Sequence, residues 1–332
     1  MRDRVTSRRG LLRFIPGIVL LAVSPALAQP RSRPARVAIL DDGRETSRPR
    51  EWRTFRKRLI ELAYVEGKTL VLDVRWANTD LDRLPALAAE LVLLKPDVIV
   101  TPSTPSALAA KRASSSIPIV VTGSADPVKA GLLANLARPD GNVTGITPLR
   151  GDIAGKQFEL LREVSPKMKS VAFLTHTANP GSMQLFRDLQ EQARPLGVMV
   201  KVFDASSRSK VEGAFIKIAK EKIEALIVSA ATALLDQRQA IVDGAARQRI
   251  PALYARRDFV DAGGLMSYSA IEDAIFSRGA EYVHRILQGA KPSDLPFEQA
   301  STFKLILNLK TARTFGMKFP QTILVRADEV IE

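Results

Sequence analysis

The sequence predicts an α/β protein of two lobes, each a parallel sheet flanked by helices. Three observations predict it. The chain has 332 residues, enough for two domains that each bury their own core. From Pro34 onward, short apolar strand-like runs alternate with longer helical segments. That alternation runs through once, breaks near Thr147, and starts again.

The first round begins with a strand at Ala35-Arg36-Val37-Ala38-Ile39-Leu40, ending at Asp41-Asp42-Gly43. A helix over 52–64 follows, with Trp52, Phe55, Leu59, Leu62 and Ala63 at helical spacing. Residues 70–76 alternate as a strand, 81–94 form a helix stopped by Pro96, and 97–101 read as a buried strand. A helix over 106–113, a strand over 117–121, a helix over 128–137 and a strand over 143–147 complete the round.

In the second round the expected helices cover 154–164, 182–193, 211–222 and 234–249, with strands at 170–175, 198–203, 225–229 and 251–254. The remainder is less regular: a helix over 271–288, an exposed turn over 290–298, a strand over 303–308 and a short helix to Gly316. Lobe one is therefore expected over 34–148 plus about 268–300, and lobe two over 149–267 plus about 301–332. The links between them are expected near 147–151 and 263–269.

The N-terminal residues carry an address. The first 13 hold five arginines and one aspartate, an uncharged apolar run covers 14–27, and Ala26-Leu27-Ala28 precedes Gln29. These are the parts of a secretory signal peptide over 1–28. The apolar run contains Pro16 and Pro25 and falls short of the roughly 20 residues needed to span a bilayer. Ser7-Arg8-Arg9-Gly10-Leu11-Leu12-Arg13 looks like a twin-arginine export motif. With no cysteine in the chain, lipid anchoring through a cysteine after the signal is excluded, as is any disulfide.

Net charge is +14, of which the segment before Gln29 brings +4, leaving +10 after cleavage. The basic residues are scattered, with Arg53, Arg56, Lys57 and Arg58 interleaved by Glu51 and Glu61, and no aromatic-lined basic strand appears. A solvated surface is the reading, and no nucleic-acid partner is expected. The two histidines, His176 and His284, are far apart and lack nearby carboxylate clusters, so no metal is expected. The chain shows no GxSxG elbow, Walker loop, GxGxxG or HExxH, and neither an enzyme nor a cofactor is expected.

Ligands of open parallel sheets gather outside the carboxyl ends of the strands. In lobe one that rule selects Asp42, the turn containing Ser103, Thr104 and Ser106, then Ser124 with Asp126, and Thr147. In lobe two it selects Asn179, Thr232, Tyr254 and Tyr268. Ser103, Thr104 and Ser106 stand where a strand gives way to a helix, with Pro105 suited to an early helical position. Hydroxyls and free N–H groups there make a receptor for a carboxylate, or else cap the helix; both readings stand. Asp126, before Pro127, either receives a ligand ammonium or caps the helix that follows.

An ordered set of segments carries a resemblance. They include Leu62-Ala63-Tyr64-Val65-Glu66-Gly67-Lys68, Arg83-Leu84-Pro85-Ala86-Leu87-Ala88-Ala89-Glu90-Leu91-Val92, Ile117-Pro118-Ile119-Val120 and Asp126-Pro127-Val128. Leu136-Ala137-Arg138-Pro139, Asn142-Val143-Thr144-Gly145, Gly263-Gly264-Leu265-Met266-Ser267-Tyr268 and Arg326-Ala327-Asp328-Glu329-Val330-Ile331-Glu332 complete it. Together, from about Ala35 to Glu332, they resemble the periplasmic substrate-binding proteins of ABC transporters, in the family that includes tryptophan/tyrosine-type binding proteins.

The resemblance implies two Rossmann-like lobes of periplasmic-binding-protein type I that close by a hinge on a small ligand and deliver it to a membrane permease. It implies that the Ser103–Ser106 loop and Asp126 hold a polar head group. Thr147, Asn179, Thr232, Tyr254 and Tyr268 would reach across the cleft, with the two tyrosines as apolar contacts. Three departures stand out: Ala63 where the family has Gly, Asp140 within the usual Pro-Gly-Gly-Asn, and Ser269 where Gly is common.

The function expected is an extracytoplasmic, monomeric solute-binding component of an ABC importer. Its ligand would be a small carboxylate, an amino acid or an aromatic or branched acid. The competing readings are a ligand sensor docking a membrane receptor and an exported hydrolase. A repressor of related fold would need an N-terminal helix-turn-helix, where this chain has a signal-like segment.

Overall fold

The computed structural model describes residues 33–148 and 153–332. The signal segment over 1–28 and its arginine motif lie outside the described residues, as does most of the link expected over 147–151.

The first lobe is built on β1 (Ala35–Asp41), α1 (Pro49–Glu61), β2 (Leu70–Trp76), α2 (Leu84–Leu93), β3 (Val98–Thr101), α3 (Thr104–Ala113), β4 (Ile119–Val121) and β5 (Val143–Thr147). The second follows with α4 (Ile153–Val164), β6 (Ser170–Thr175), α5 (Pro180–Ala193), β7 (Met199–Asp204), α6 (Arg208–Lys220) and β8 (Ala225–Val228). It continues through α7 (Thr232–Asp236), α8 (Arg238–Gln248), β9 (Ala252–Tyr254), α9 (Arg257–Asp261) and β10 (Met266–Ala270). The chain returns to the first lobe as α10 (Glu272–Leu287) and β11 (Glu298–Gln299). It ends in the second with β12 (Phe303–Asn308), α11 (Leu309–Phe315), α12 (Gln321–Leu324) and β13 (Glu329–Ile331).

The first sheet is ordered β11-β5-β4-β3-β1-β2, all parallel. The second is ordered β13-β12-β10-β9-β8-β6-β7, parallel except for the antiparallel pairing of β10 with β12. Strands covered on both faces read as unbroken apolar runs, because each face meets helices. In β1, Val37 and Ile39 face Trp52, Phe55 and Phe276 beneath α1 and α10. Ala38 and Leu40 face Leu84, Leu87, Leu91 and Ala107 beneath α2 and α3. The second sheet is sandwiched likewise, with Phe158, Leu161 and Leu189 on one face and Phe215, Ile218 and Ile241 on the other.

Two expected elements differ. No helix forms over 128–137: Asp126 accepts from the N–H groups of Val128 and Lys129 at 3.1 and 2.9 Å, Gly131 takes φ +75°, and the N–H of Ala134 is drawn to Asp140 at 2.9 Å. Local side-chain acceptors outcompete the helical ladder there. The stretch 263–269, read as a link, contains β10, so the chain leaves the second sheet only after Ala270. Ser269, at the presumed hinge, pairs with Lys304 inside that sheet.

Ala63, standing where the resembling family has Gly, lies just past the end of α1 at φ +68°. That is the left-handed cap conformation a glycine adopts without strain.

Candidate functional site

The carboxyl ends of β3, β4, β8 and β9 open onto one cleft between the two sheets. On the first-lobe side, Ser103 caps α3: its Oγ accepts from the Ser106 N–H at 3.4 Å and lies 2.8 Å from the Ser106 hydroxyl. The Thr104 and Ser124 hydroxyls lie 3.0 Å apart, joining the loop after β3 to the loop after β4. The Thr147 hydroxyl then donates to the Ser124 carbonyl at 2.6 Å. Gly123 permits this stitching, since any Cβ there would collide with the Pro102 carbonyl oxygen.

The second lobe answers with another helix start. Asn179 caps α5, its Oδ1 accepting from Gly181 and Ser182 N–H at 3.0 and 3.4 Å. Gly181 sits against the first lobe: a Cβ there would lie 2.7 Å from Thr104 Oγ1 and 3.0 Å from Ala125 Cβ. The N-termini of α3 and α5, with their positive dipole ends, thus converge on the same cleft. Its apolar wall comes from Ile153, Leu185, Tyr268, Phe276 and Phe303, the Tyr268 ring stacking on Phe303 at 5.6 Å.

Charge enters the lining as Arg48, Arg256 and Glu272. Arg48 donates to the Pro102 carbonyl at 3.0 Å, to Asp42 at 3.2 Å and to Thr232. Arg256, buried at the start of α9, donates to Glu51 and to Asp258 at 2.9 Å, and lies 3.5 Å from Glu272. Burial works against the Arg256 cation, but Glu272, Asp258 and Glu51 outweigh it and raise its pKa. Burial raises the pKa of Glu272, with Arg256 and Arg48 opposing and Glu51 and Asp258 reinforcing the shift. Beneath the lining, burial holds Asp41 up to about 6 although Arg48 and the N–H donors of Gly43 and Trp52 pull it down.

The lobes touch directly around this cleft. Thr232 donates to Asp42 at 2.9 Å, Ser47 and Arg44 donate to Asp236 at 2.8 and 3.1 Å, and Lys129 donates to Asp188 at 3.1 Å. Neither histidine lines the cleft: burial lowers the pKa of His176, and His284 pairs with the Tyr64 hydroxyl at 3.1 Å. Among the described residues no group of side chains is placed to hold a metal ion, and no helix is long and apolar enough to cross a membrane.

Of the residues the sequence selected, Ser103, Thr104, Ser124, Asn179, Thr232 and Tyr268 line the cleft. The others do not. Ser106 lies beneath Ser103, and Asp42 is turned under Arg48 and Thr232. Thr147 and Asp126 line an adjoining groove, with Asp126 spent on capping the Val128 turn. Tyr254 is buried in the second lobe's core, stacked on Phe259 at 5.0 Å, because its position in β9 faces the α8–α9 layer.

Sequence reasoning missed Arg48, Gln157, Ser229, Arg256, Glu272, Phe276 and Phe303. For Glu272 a signal existed: Glu272-Asp273 opens a helix, where acidic residues concentrate. Gln157 lies mid-helix and carries no motif.

The comparisons with known proteins agree with this architecture. A family model described as ABC transporter substrate binding protein matches residues 37–331. A tyrosine-binding protein of Clostridioides difficile (strain R20291) is 27% identical over 264 residues, 80% of this chain and 76% of that protein. A Streptococcus pneumonia ABC domain in complex with L-Trp superposes with TM-score 0.81 at 24% identity, covering 90% of this chain and all of that one. A ligand-free, open substrate binding protein with adhesive properties from Clostridium difficile gives TM-score 0.63 at 25% identity, covering 90% and 99%. The two-lobed arrangement is that of periplasmic-binding proteins of type I.

Proposed function

The chain belongs to the ABC transporter substrate-binding protein family, and we propose that it captures an amino acid with an aromatic side chain in the interlobe cleft. One observation carries the reading: a single cleft holds two helix N-termini, a carboxylate and an aromatic wall. Those are the partners of a carboxylate, an ammonium and a ring.

The ligand carboxylate is assigned to the N-terminus of α3 beside Ser103 and Thr104, with the start of α5 at Asn179 facing it. The ammonium is assigned to Glu272, where a charge-assisted hydrogen bond replaces solvent. The ring is assigned to Tyr268, Phe276 and Phe303, with Leu185 at their side. The relatives that bind tyrosine and L-Trp support the ligand class.

Closure is part of the proposal. Three short connections join the lobes: the stretch after Thr147, Ile271, and residues 300–302. A ligand touching both sides stabilises the closed arrangement and shifts that equilibrium. The interlobe contacts, and the better superposition on the L-Trp complex than on the open relative, support a closed form.

The same reading makes the protein a binder rather than a catalyst, exported, monomeric, and the partner of an ABC permease. A thermal-shift screen against amino acids and aromatic and branched acids tests it. A ligand at about 100 times its Kd stabilises the native state by about 2.7 kcal/mol, a rise of about 5 °C. The ligand should be recovered chemically unchanged. No shift with any amino acid contradicts the assignment, and turnover of the ligand contradicts the binder.

A further inference from the structure

We propose that Gln157 reads a hydrogen-bond donor on the ligand's ring, so that the cleft selects aromatic amino acids bearing a ring N–H or O–H over phenylalanine. This rests on the amino-acid reading above and goes beyond it by naming the residue that sets specificity.

The buried stripe of α4 runs Ile153, Ala154, Gln157, Phe158, Leu161, the spacing of a core-facing helix side. Four of these five positions are apolar. The fifth is an amide, only 1% exposed, in the lining of the cleft together with Ile153 and Leu185. Its Nε2 donates to the Tyr268 carbonyl at 3.3 Å, which orients the side chain. Its Oε1 is buried and has no hydrogen-bond partner among the described residues. A leucine would pack this stripe without leaving a polar atom unpaired, whereas a buried amide oxygen without a donor is unfavourable.

The chemistry of that oxygen narrows what it receives. An amide oxygen only accepts, so its partner is an N–H or O–H. A full positive charge is better answered by a carboxylate, and the lining supplies one in Glu272. Gln157 instead shares the wall with Tyr268, itself stacked on Phe303, the surface to which the ligand ring is assigned. A neutral acceptor beside an aromatic wall suits a neutral donor carried by a ring: an indole N–H or a phenol O–H. A site built around such a bond rejects the analogue lacking it, because its own polar atom is then left unpaired.

The test is calorimetric titration of L-tyrosine, L-tryptophan and L-phenylalanine into the wild-type protein and Gln157→Leu, with Gln157→Met as the second variant should Leu not fold. We expect the wild type to bind tyrosine or tryptophan at least about tenfold tighter than phenylalanine, and the variant ratio to collapse toward one. Equal affinities in the wild type, or a ratio retained in both variants, would overturn the role of Gln157 while leaving the amino-acid reading in place. Binding of none of the three by the wild type would overturn both.

Discussion

Arg256 of the second lobe donates to the Glu51 carboxylate of the first, and both side chains are almost wholly buried, at 6% and 5% exposed. The contact joins α1 to the start of α9, elements 205 residues apart. It closes a cluster in which one guanidinium faces Glu51, Asp258 and Glu272. A buried charge of this kind is costly once a partner is removed.

Glu51→Gln keeps the shape and removes one of those charges. Asp258 and Glu272 remain, so we expect a loss of about 2 kcal/mol rather than collapse of the fold. Denaturant melts check the loss, and small-angle scattering of the ligand-free protein checks whether the lobes separate. An unchanged melt would show that the pair contributes nothing to the folded chain.

Gly181→Val places a branched side chain where a Cβ alone would already meet Thr104 Oγ1 at 2.7 Å. Gly181 opens α5 without a strained φ, so each lobe should fold unchanged while their approach is blocked. Scattering should show a larger radius of gyration, and amino-acid affinity should fall by about tenfold or more. Unaltered affinity would mean that binding needs no approach of α5 to α3.

Glu272 sets a pH dependence. Burial raises its pKa above the ordinary 4.5. An ammonium is held by the ionised form, so affinity should be steady at neutral pH and weaken as pH falls through that raised value. Glu272→Gln should lower affinity at pH 7 by about thirtyfold, about 2 kcal/mol for a charge-assisted bond, and flatten the profile. A wild-type affinity that stays level from pH 7 down to 4 would contradict the assignment.

Ala63→Gly should stabilise the protein. The position sits at φ +68°, where an L side chain is strained and glycine is not. The gain expected is about 1 kcal/mol, read as a melting rise of about 2 °C. A fall in melting temperature would show that the Ala63 methyl contributes more by packing than its backbone loses.

Asp204 contributes to acid stability. Burial pushes its carboxyl up, but Ser206, Lys210 and Thr177 hydrogen bonds outweigh it and hold the pKa down to about 2. Its folded value lies below the unfolded one, so its contribution is complete above about pH 4 and disappears between there and pH 2. The Asp204 side chain is 24% exposed and its partners are at the surface, so Asp204→Asn should cost only about 1 kcal/mol at pH 7. The wild type and variant should converge in stability near pH 2; a constant difference down to that pH would exclude the carboxylate as the source.

Most of the fold was legible because strands such as Ile99-Val100 and Ile227-Val228 are covered on both faces and read as apolar runs. β10 was missed since Gly263-Gly264 and the mixed Ser267-Tyr268-Ser269 look like a link, and pairing with β9 on one side and β12 on the other makes them a strand, with Met266 opposite Leu253 and Leu307. The lining of the cleft was legible where loops follow strands. Ser103, Thr104, Ser124, Asn179 and Thr232 line the cleft because strand order brings those loops together, and Tyr268 joins them from within β10. Arg48, Arg256 and Glu272 come from helix flanks and first turns, and Gln157 from the middle of α4, and their partners are fixed only by how the lobes pack. Tyr254 shows the converse: a residue at a strand's end whose ring turns inward.

The most direct measurement is calorimetric titration of L-tyrosine and L-tryptophan into the wild-type protein beside Glu272→Gln, with the ligand analysed afterward. The account predicts saturation at one ligand per chain, marked weakening in the variant, and recovery of the amino acid unchanged. No saturable binding of either amino acid by a folded wild-type protein, or binding that the variant retains in full, would contradict it.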